Sequence, residues 1–326
     1  MKKIFITGGA GYVGSILTPY LLENGYSVTV LDLMIYGKDV LKNNKNLEII
    51  TGDIRDTNLL EKKIPGHDTL IHLACISNDP SFELNPKLGK SINLDAFEPL
   101  VKIAKNSSVS RLIYASSSSV YGIKKEQNVN ETMSLEPLTD YSKFKADCEK
   151  ILFKYKSADF TPVVIRPATV CGYAPRQRLD VVVNILANLA FHKKEISVYG
   201  GKQLRPNIHI FDMARAYEYL IKANKEIVSG EIFNAGYENQ TVSHLASQVK
   251  KIIGDDVKIK YIESNDNRSY HISSKKIKKI LGFETKKTIE DAIKDLKDAF
   301  TSKKLTDTLT NEKYFNIKRM NNLNLK

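Results

Sequence analysis

The sequence predicts an α/β fold: a doubly wound parallel sheet followed by a smaller carboxyl-terminal lobe. Two observations lead to this prediction. Residues 1–166 alternate short β-branched runs with amphipathic stretches, which is the pattern of repeated βαβ units. After Arg166 the alternation becomes irregular, with helical stretches separated by short strands. The 326 residues are 42% apolar, which is enough to fill a sizeable core.

Six segments are expected to form the parallel sheet, because each is a short run rich in β-branched residues. They are residues 3–7, 27–32, 47–51, 69–73, 111–116 and 162–166. Helices are predicted over 12–24, ended by Gly25, and over 86–106, which Pro99 is expected to kink. Further helices are predicted over 179–192, 211–223, 242–253 and 289–300. Residues 301–326 form a polar tail, rich in Lys and Asn, in which no motif is evident.

Composition argues against several classes of function. The formal charge of +12 could attract nucleic acid, but the lysines are dispersed and no aromatic residues alternate with them as a stacking surface requires. There is no run of eighteen apolar residues and no secretory signal at the start, so we expect no membrane span and a cytoplasmic protein. Three cysteines without a Cys-x-x-Cys pair, and six histidines without ligand spacing, predict reduced thiols and no metal site.

A glycine-rich turn follows the first predicted strand. Residues 8–14 read GGAGYVG, and a predicted helix begins at once. Early glycines permit a tight turn and let backbone N–H groups approach a pyrophosphate, while Gly14 allows the helix to pack closely on the strand. The amino terminus of the helix adds partial positive charge. Gly8, Gly11, Tyr12, Val13 and Gly14 are therefore predicted to bind a dinucleotide in a Rossmann-type domain.

Asp32 ends the second predicted strand, eighteen residues after Gly14. A carboxylate at this position accepts hydrogen bonds from the adenosine ribose and repels a 2′-phosphate, so NAD is favoured over NADP. The alternative is an acidic residue that merely ends a strand.

A serine, a tyrosine and a lysine follow with catalytic spacing. The fifth predicted strand runs into four serines at 116–119, and Tyr141 and Lys145 lie four residues apart on a predicted helix. This spacing places both side chains on one helix face, where the ammonium and a cationic nicotinamide favour the phenolate as a base. Ser117 would hold the reacting hydroxyl. Tyr-x-x-x-Lys alone often reflects packing, but here it follows a glycine fingerprint and a serine-rich strand end.

These residues resemble the extended short-chain dehydrogenase/reductase family, specifically its NAD-dependent nucleotide-sugar epimerases and dehydratases, over residues 3–300. The resemblance implies a homodimer, a dinucleotide-binding domain over 1–166 to which segments near 205–235 can return, and a nucleotide-sugar-binding lobe over 167–300. It also implies roles for further residues. Cofactor contacts are expected from Asp53, Ile54, Leu73 and Ala74, and substrate contacts from Ser117, Ser118, Thr169, Arg178, Arg205 and Arg268.

Two departures from the family pattern bear on the reaction. Ser118 and Ser119 stand where the 4,6-dehydratases carry the Asp and Glu that move protons at sugar C5 and C6. Hydroxyls with a high pKa do not readily perform that elimination. Thr169 stands where many 4-epimerases carry an Asn that contacts the diphosphate.

The sequence therefore predicts an NAD-dependent nucleotide-sugar epimerase that acts through a 4-keto intermediate. A nucleotide-sugar 4-dehydrogenase or 4-keto-reductase is the nearest alternative, and a 4,6-dehydratase is disfavoured by Ser118 and Ser119. An NAD-sensing scaffold without catalysis and an RNA-binding protein are the alternatives from other classes of function.

Overall fold

The computed structural model describes residues 1–264, 269 and 271–323. Its strands are β1 Lys3–Thr7, β2 Ser27–Asp32, β3 Leu47–Thr51, β4 Thr69–His72, β5 Arg111–Ala115, β6 Thr161–Pro167, β7 Thr169–Cys171, β8 Glu195–Tyr199, β9 Leu204–His209, β10 Glu231–Ala235, β11 Glu238–Thr241 and β12 Lys258–Ile262.

A parallel sheet forms the centre of the molecule. Its order in the described chain is β10-β6-β5-β4-β1-β2-β3, and every neighbouring pair is parallel. The predicted fold class is confirmed, and β1 to β6 lie within one residue of the six predicted segments. The strand order reverses between β1 and β4. In open α/β sheets this switch point is where ligands bind, beyond the carboxyl ends of the strands.

Helices cover both faces of the central sheet. The helices are α1 Gly14–Glu23, α2 Thr57–Lys63, α3 Asp79–Glu83, α4 Pro86–Lys90, α5 Phe97–Asn106, α6 Asp140–Phe153, α7 Val182–Lys193, α8 Ile210–Lys222, α9 Lys225–Val228, α10 Val242–Ile253, α11 Lys275–Leu281, α12 Ile289–Thr301 and α13 Asn316–Leu323. Alternate residues of β1 point to opposite faces, so Ile4 and Ile6 pack with α1 and α8, while Phe5 packs with α2, α5 and α6.

The predicted helix over 86–106 is interrupted before it reaches Pro99. A π-helical turn, Ser91–Asp95, separates α4 from α5. Within it the buried Asn93 side chain accepts a hydrogen bond from the Ile76 amide and donates one to the Ile76 carbonyl. Pro99 lies in the first turn of α5, where a missing N–H costs no hydrogen bond within that helix.

The second half of the chain builds a smaller lobe with its own apolar core. Helices α7, α10 and α12 pack around Leu186, Val249 and Leu296. Two small sheets accompany them, with the orders β11-β9-β7 and β12-β8. The segment after α12 folds against this lobe, since the Leu179 amide donates to the Tyr314 carbonyl at 2.9 Å.

None of the helices that the structure describes combines the length and apolar character that crossing a bilayer requires.

Candidate active site

A cavity of about 540 Å³ opens at the carboxyl ends of the central strands, at the β1/β4 switch point. It is lined by almost all of the residues that the sequence singles out. These are Gly8, Gly11, Tyr12, Val13, Gly14, Asp32, Asp53, Ile54, Leu73, Ala74, Ser117, Ser118, Tyr141, Lys145, Thr169, Arg178 and Arg205. The remaining predicted residue, Arg268, lies outside the described residues.

The turn between β1 and α1 is built so that side chains cannot fill it. Gly8 has φ +75°, and a Cβ there would lie 2.6 Å from the Ala74 nitrogen. A Cβ on Gly14 would lie 2.5 Å from the Gly9 carbonyl carbon. Both positions therefore require glycine. The resulting gap leaves backbone and the start of α1 at the cavity wall, where a pyrophosphate can approach.

Asp32 organises this turn from the end of β2. One carboxylate oxygen accepts from the Ala10 amide at 3.0 Å and the other from the Met34 amide at 2.8 Å. Burial raises the pKa of Asp32, although these backbone hydrogen bonds and the charge of Arg176 oppose that rise. Each carboxylate oxygen keeps a second lone pair, so Asp32 can still accept ribose hydroxyls.

The three candidate catalytic side chains meet at one wall of the cavity. The Thr139 hydroxyl accepts from the Ser142 amide and fixes the start of α6, so Tyr141 and Lys145 lie one turn apart. The Lys145 ammonium is 5.8 Å from the centre of the Tyr141 ring and donates to the Ala115 carbonyl at 2.7 Å. The Ser117 hydroxyl, at the end of β5, is 2.8 Å from the Ser119 hydroxyl.

The structure does not show the lowered tyrosine pKa expected from Lys145. Burial raises the pKa of Tyr141 well above its ordinary value, and electrostatic interactions with Cys75 and Asp79 raise it further. The charge of Arg178 and a hydrogen bond with Ser117 lower it, but they do not outweigh burial. The chain alone therefore favours the neutral phenol, and additional positive charge is needed to make it a ready base.

Arg166 and His209, near the carboxyl ends of β6 and β9, have structural partners. Arg166 is 2% exposed and pairs with Glu149, its Nε and Nη2 lying 2.9 and 2.5 Å from the carboxylate oxygens. His209 accepts from the Phe211 amide at the start of α8 and lies 3.1 Å from Asp295. Pro167, next to Arg166, does line the cavity.

The lobe contributes two neighbouring arginines to the cavity wall. Arg178 forms an ion pair with Asp180 at 2.8 Å, and Arg176 stacks on Tyr36 with its guanidinium carbon 3.5 Å from the ring centre. Among the described residues, Arg176 Nε and Arg178 Nη2 are buried without a hydrogen-bond partner. Two guanidinium groups beside one carboxylate leave a net positive charge, which suits a diphosphate.

Several cavity residues were not identified from the sequence. They include Tyr36, Ser77, Asp79 and Met320. Asp79 lies at the start of α3, and its carboxylate accepts a hydrogen bond from the Thr139 hydroxyl. From the sequence, the polar run 176–180 reads either as a sugar or phosphate clamp or as a solvated capping segment, but nothing in the sequence pairs Arg176 with Tyr36 or with the segment after 301.

A dinucleotide fits the residues of this cavity. The glycine cradle, the Asp32 carboxylate and the unpaired guanidinium nitrogens are the groups that a pyrophosphate flanked by a ribose requires. Asp53, which also lines the cavity, forms an ion pair with Arg55 at 2.7 Å.

Comparisons with known proteins agree with this geometry. A dTDP-D-glucose 4,6-dehydratase from Dictyostelium discoideum is 29% identical over 275 residues, which cover 78% of this chain and 62% of that protein. An uncharacterized UDP-glucose epimerase, YtcB, from Bacillus subtilis is 32% identical over 273 residues, which cover 77% of this chain and 82% of that protein. The structure of a UDP-glucose 4-epimerase with UDP-glucose from Thermotoga maritima matches with a TM-score of 0.84 at 25% identity, covering 93% of this chain and all of that one.

The family itself is established by a match over most of the chain. Residues 4–236 match the model of the NAD dependent epimerase/dehydratase family, a range that runs from β1 through β10. This confirms the resemblance drawn from the glycine turn and the Ser117, Tyr141 and Lys145 set, and NAD as the cofactor. The chain belongs to the NAD-dependent epimerase/dehydratase family.

Proposed function

We propose that this enzyme is a nucleotide-sugar epimerase that works through a 4-keto intermediate. The observation that carries the proposal is the wall of the cavity at Ser117 and Tyr141, where positions 118 and 119 offer hydroxyls rather than carboxylates. The relatives include both UDP-glucose epimerases and a 4,6-dehydratase, so the choice between these reactions rests on the residues of this chain.

Each side chain has a defined part in the proposed reaction. Bound NAD supplies a hydride acceptor and a positive charge. Tyr141, as phenolate, removes the proton of the sugar 4-hydroxyl and later returns it to the ketone oxygen. Ser117, which lines the same cavity as Tyr141, holds that oxygen. Lys145 lies over the Tyr141 ring face and contributes a fixed cation.

An epimerase requires that the ketone intermediate turn over before it is reduced. The 4-keto sugar would present its other face, and the same hydride would return to C4. The cofactor is then recycled without net redox change. Cavity residues Thr169, Arg178 and Arg205 are proposed to hold the nucleotide diphosphate while the sugar turns.

The test is incubation of the purified enzyme with a panel of UDP-, dTDP-, GDP- and CDP-sugars without added NAD, followed by NMR of the products. Inversion at C4 with no lasting change in absorbance near the NADH band supports the proposal. A 4-keto-6-deoxy product refutes it. Stoichiometric NADH formation indicates the alternative, a 4-dehydrogenase or 4-keto-reductase. A Tyr141→Phe variant that is indistinguishable from the parent in every assay would instead favour a non-catalytic NAD sensor.

A homodimer is part of the proposal. In the family the subunits associate through two helices, which correspond here to the stretch containing α4 and α5 and to α6. These helices pack side by side on one face of the sheet, and the Tyr155 hydroxyl, just after α6, donates to Glu98 of α5. Light scattering at micromolar concentration would give twice the 36.8 kDa chain mass for a dimer.

A further inference from the structure

The segment after α12 reaches the dinucleotide end of the cavity. Asn316, the first residue of α13, is 2% exposed although it is polar and close to the carboxyl terminus. Met320, one turn later, lines the cavity and is also buried. The Arg319 guanidinium donates to the Ile35 carbonyl at 2.6 Å, in the loop after β2. This segment therefore crosses from the lobe to the central sheet.

Asn316 joins three separate parts of the chain. Its side-chain oxygen accepts from Arg176 Nη2 at 2.5 Å and from the Tyr36 hydroxyl at 3.0 Å. Its side-chain nitrogen donates to the Ser77 hydroxyl at 2.9 Å, and its backbone N–H donates to the Asp180 carboxylate at 2.9 Å. All the polar groups of the Asn316 side chain thus point at residues that line the cavity. Burying such a group is favourable only when it is hydrogen-bonded, so the site is built rather than incidental.

Arg176 is the residue that this arrangement holds in place. Its ring partner Tyr36 and its hydrogen-bond partner Asn316 fix the guanidinium plane, and the group is 4% exposed. The Arg176 amide donates to the Ser15 hydroxyl, in the first turn of α1, at 3.3 Å. Arg176 also lies close enough to Asp32 to lower its pKa. These contacts place Arg176 at the glycine turn rather than at Tyr141.

We propose that Arg176, positioned by Tyr36 and Asn316, is a cofactor-binding residue that clamps the diphosphate of the dinucleotide, and that the segment 312–323 closes this clamp. Arg176 Nε, buried and without a partner among the described residues, is the donor available to a phosphate oxygen. Burial lowers the pKa of Arg176 only to about 10, so the guanidinium remains charged at neutral pH. The clamp is independent of which sugar the enzyme acts on.

The test compares the affinities of full-length variants for NADH, ADP-ribose and UDP, measured by fluorescence and calorimetry. Arg176→Gln is expected to weaken NADH and ADP-ribose binding about 10- to 100-fold, the effect of losing a charge-assisted hydrogen bond. Asn316→Ala is expected to raise the NADH dissociation rate at least about tenfold, because the guanidinium and the segment are released together. Asn321→Ala, an exposed residue of the same type on the same helix, is the matched control and should match the parent.

The UDP arm separates the two possible sources of a diphosphate. In both Arg176→Gln and Asn316→Ala, the affinity for UDP should stay within about twofold of the parent value. The melting temperatures of these variants should show that the loss of NADH affinity does not come from a general folding defect. Loss of UDP binding with unchanged NADH binding would assign Arg176 to the substrate and overturn the proposal.

A second measurement on the unaltered protein covers the case in which a variant does not fold. Amide hydrogen exchange in 312–323 should slow at least about tenfold on adding NAD or ADP-ribose. Exchange that is unaffected by either ligand would contradict a closing role for this segment.

Discussion

Replacing Glu149 by alanine tests the buried ion pair that supports the end of β5. Glu149 is 3% exposed and accepts hydrogen bonds from Arg166 and from the Ser116 hydroxyl, which precedes Ser117. Without it the buried Arg166 guanidinium would keep its hydrogen bond to the Tyr121 hydroxyl, at 2.8 Å, but no opposite charge. Loss of one member of a buried pair costs about 3–5 kcal/mol, because the other charge is left uncompensated.

That cost converts into a measurable fall in thermal stability. At about 2.1 cal/mol/K per residue, the unfolding entropy of 326 residues turns a loss of about 4 kcal/mol into a fall in Tm of about 6 °C. Calorimetry and urea unfolding would measure it. Asp147→Ala, which breaks an exposed pair with Lys150 on the same helix, is the control and should change stability by less than about 0.5 kcal/mol.

A double replacement sharpens the same test. Glu149→Leu combined with Arg166→Met removes both charges, and it should recover most of the lost stability because no buried charge remains. The reasoning would be wrong if Glu149→Ala lost less than about 1 kcal/mol, or if the double variant were less stable than the single one.

Three further variants test other features of the site. Asp79→Asn removes a negative charge that raises the pKa of Tyr141, so the pKa of Tyr141 should fall. The acid limb of the pH profile of kcat/KM should then move to lower pH, and a move to higher pH would contradict this prediction. Asp32→Asn keeps a hydrogen-bond acceptor but removes the charge that repels a 2′-phosphate, so the affinity for NADPH relative to NADH should rise at least about tenfold. An unchanged ratio of the two affinities would exclude Asp32 as the determinant of cofactor preference. Gly14→Ala places a Cβ 2.5 Å from the Gly9 backbone and should abolish NADH binding, which a variant that binds NADH normally would disprove.

The sequence predicted the central sheet well because most of its strands are buried on both faces, the edge strand β3 being an exception. Runs such as 27–32 and 162–166 read as short apolar β-branched segments, and burial from both sides leaves little alternative to a parallel strand. The glycine turn could also be predicted from the sequence. Gly8 and Gly14 are required because a Cβ at either position would clash with backbone atoms, whatever the neighbouring side chains are.

The end of the cavity at Arg176 and Asn316 could not be predicted from the sequence, because it depends on contacts between polar residues that lie far apart along the chain. Asn316 contacts Tyr36, Ser77 and Arg176, from which it is separated along the chain by up to 280 residues. A polar helix read alone gives no sign that its first residue is buried. The interruption after α4 was missed for the same reason, because it depends on the hydrogen bonds of Asn93 with Ile76.

The environment of Tyr141 could be predicted only in part, because helical spacing reports proximity but not burial. The i, i+4 spacing correctly placed Lys145 near the ring, yet the ammonium donates to the Ala115 carbonyl, and burial of the phenol dominates its pKa. The balance of desolvation against charge is a property of the assembled cavity.

The central claim is that the Tyr141 phenol moves the proton of the sugar 4-hydroxyl. The most direct measurement is the single-turnover rate of Tyr141→Phe with the nucleotide sugar that the panel identifies. The rate should fall by about 10²- to 10⁴-fold, the usual contribution of a general base, while NADH and UDP affinities stay within about threefold. A variant that keeps more than about a tenth of the parent rate would contradict the account.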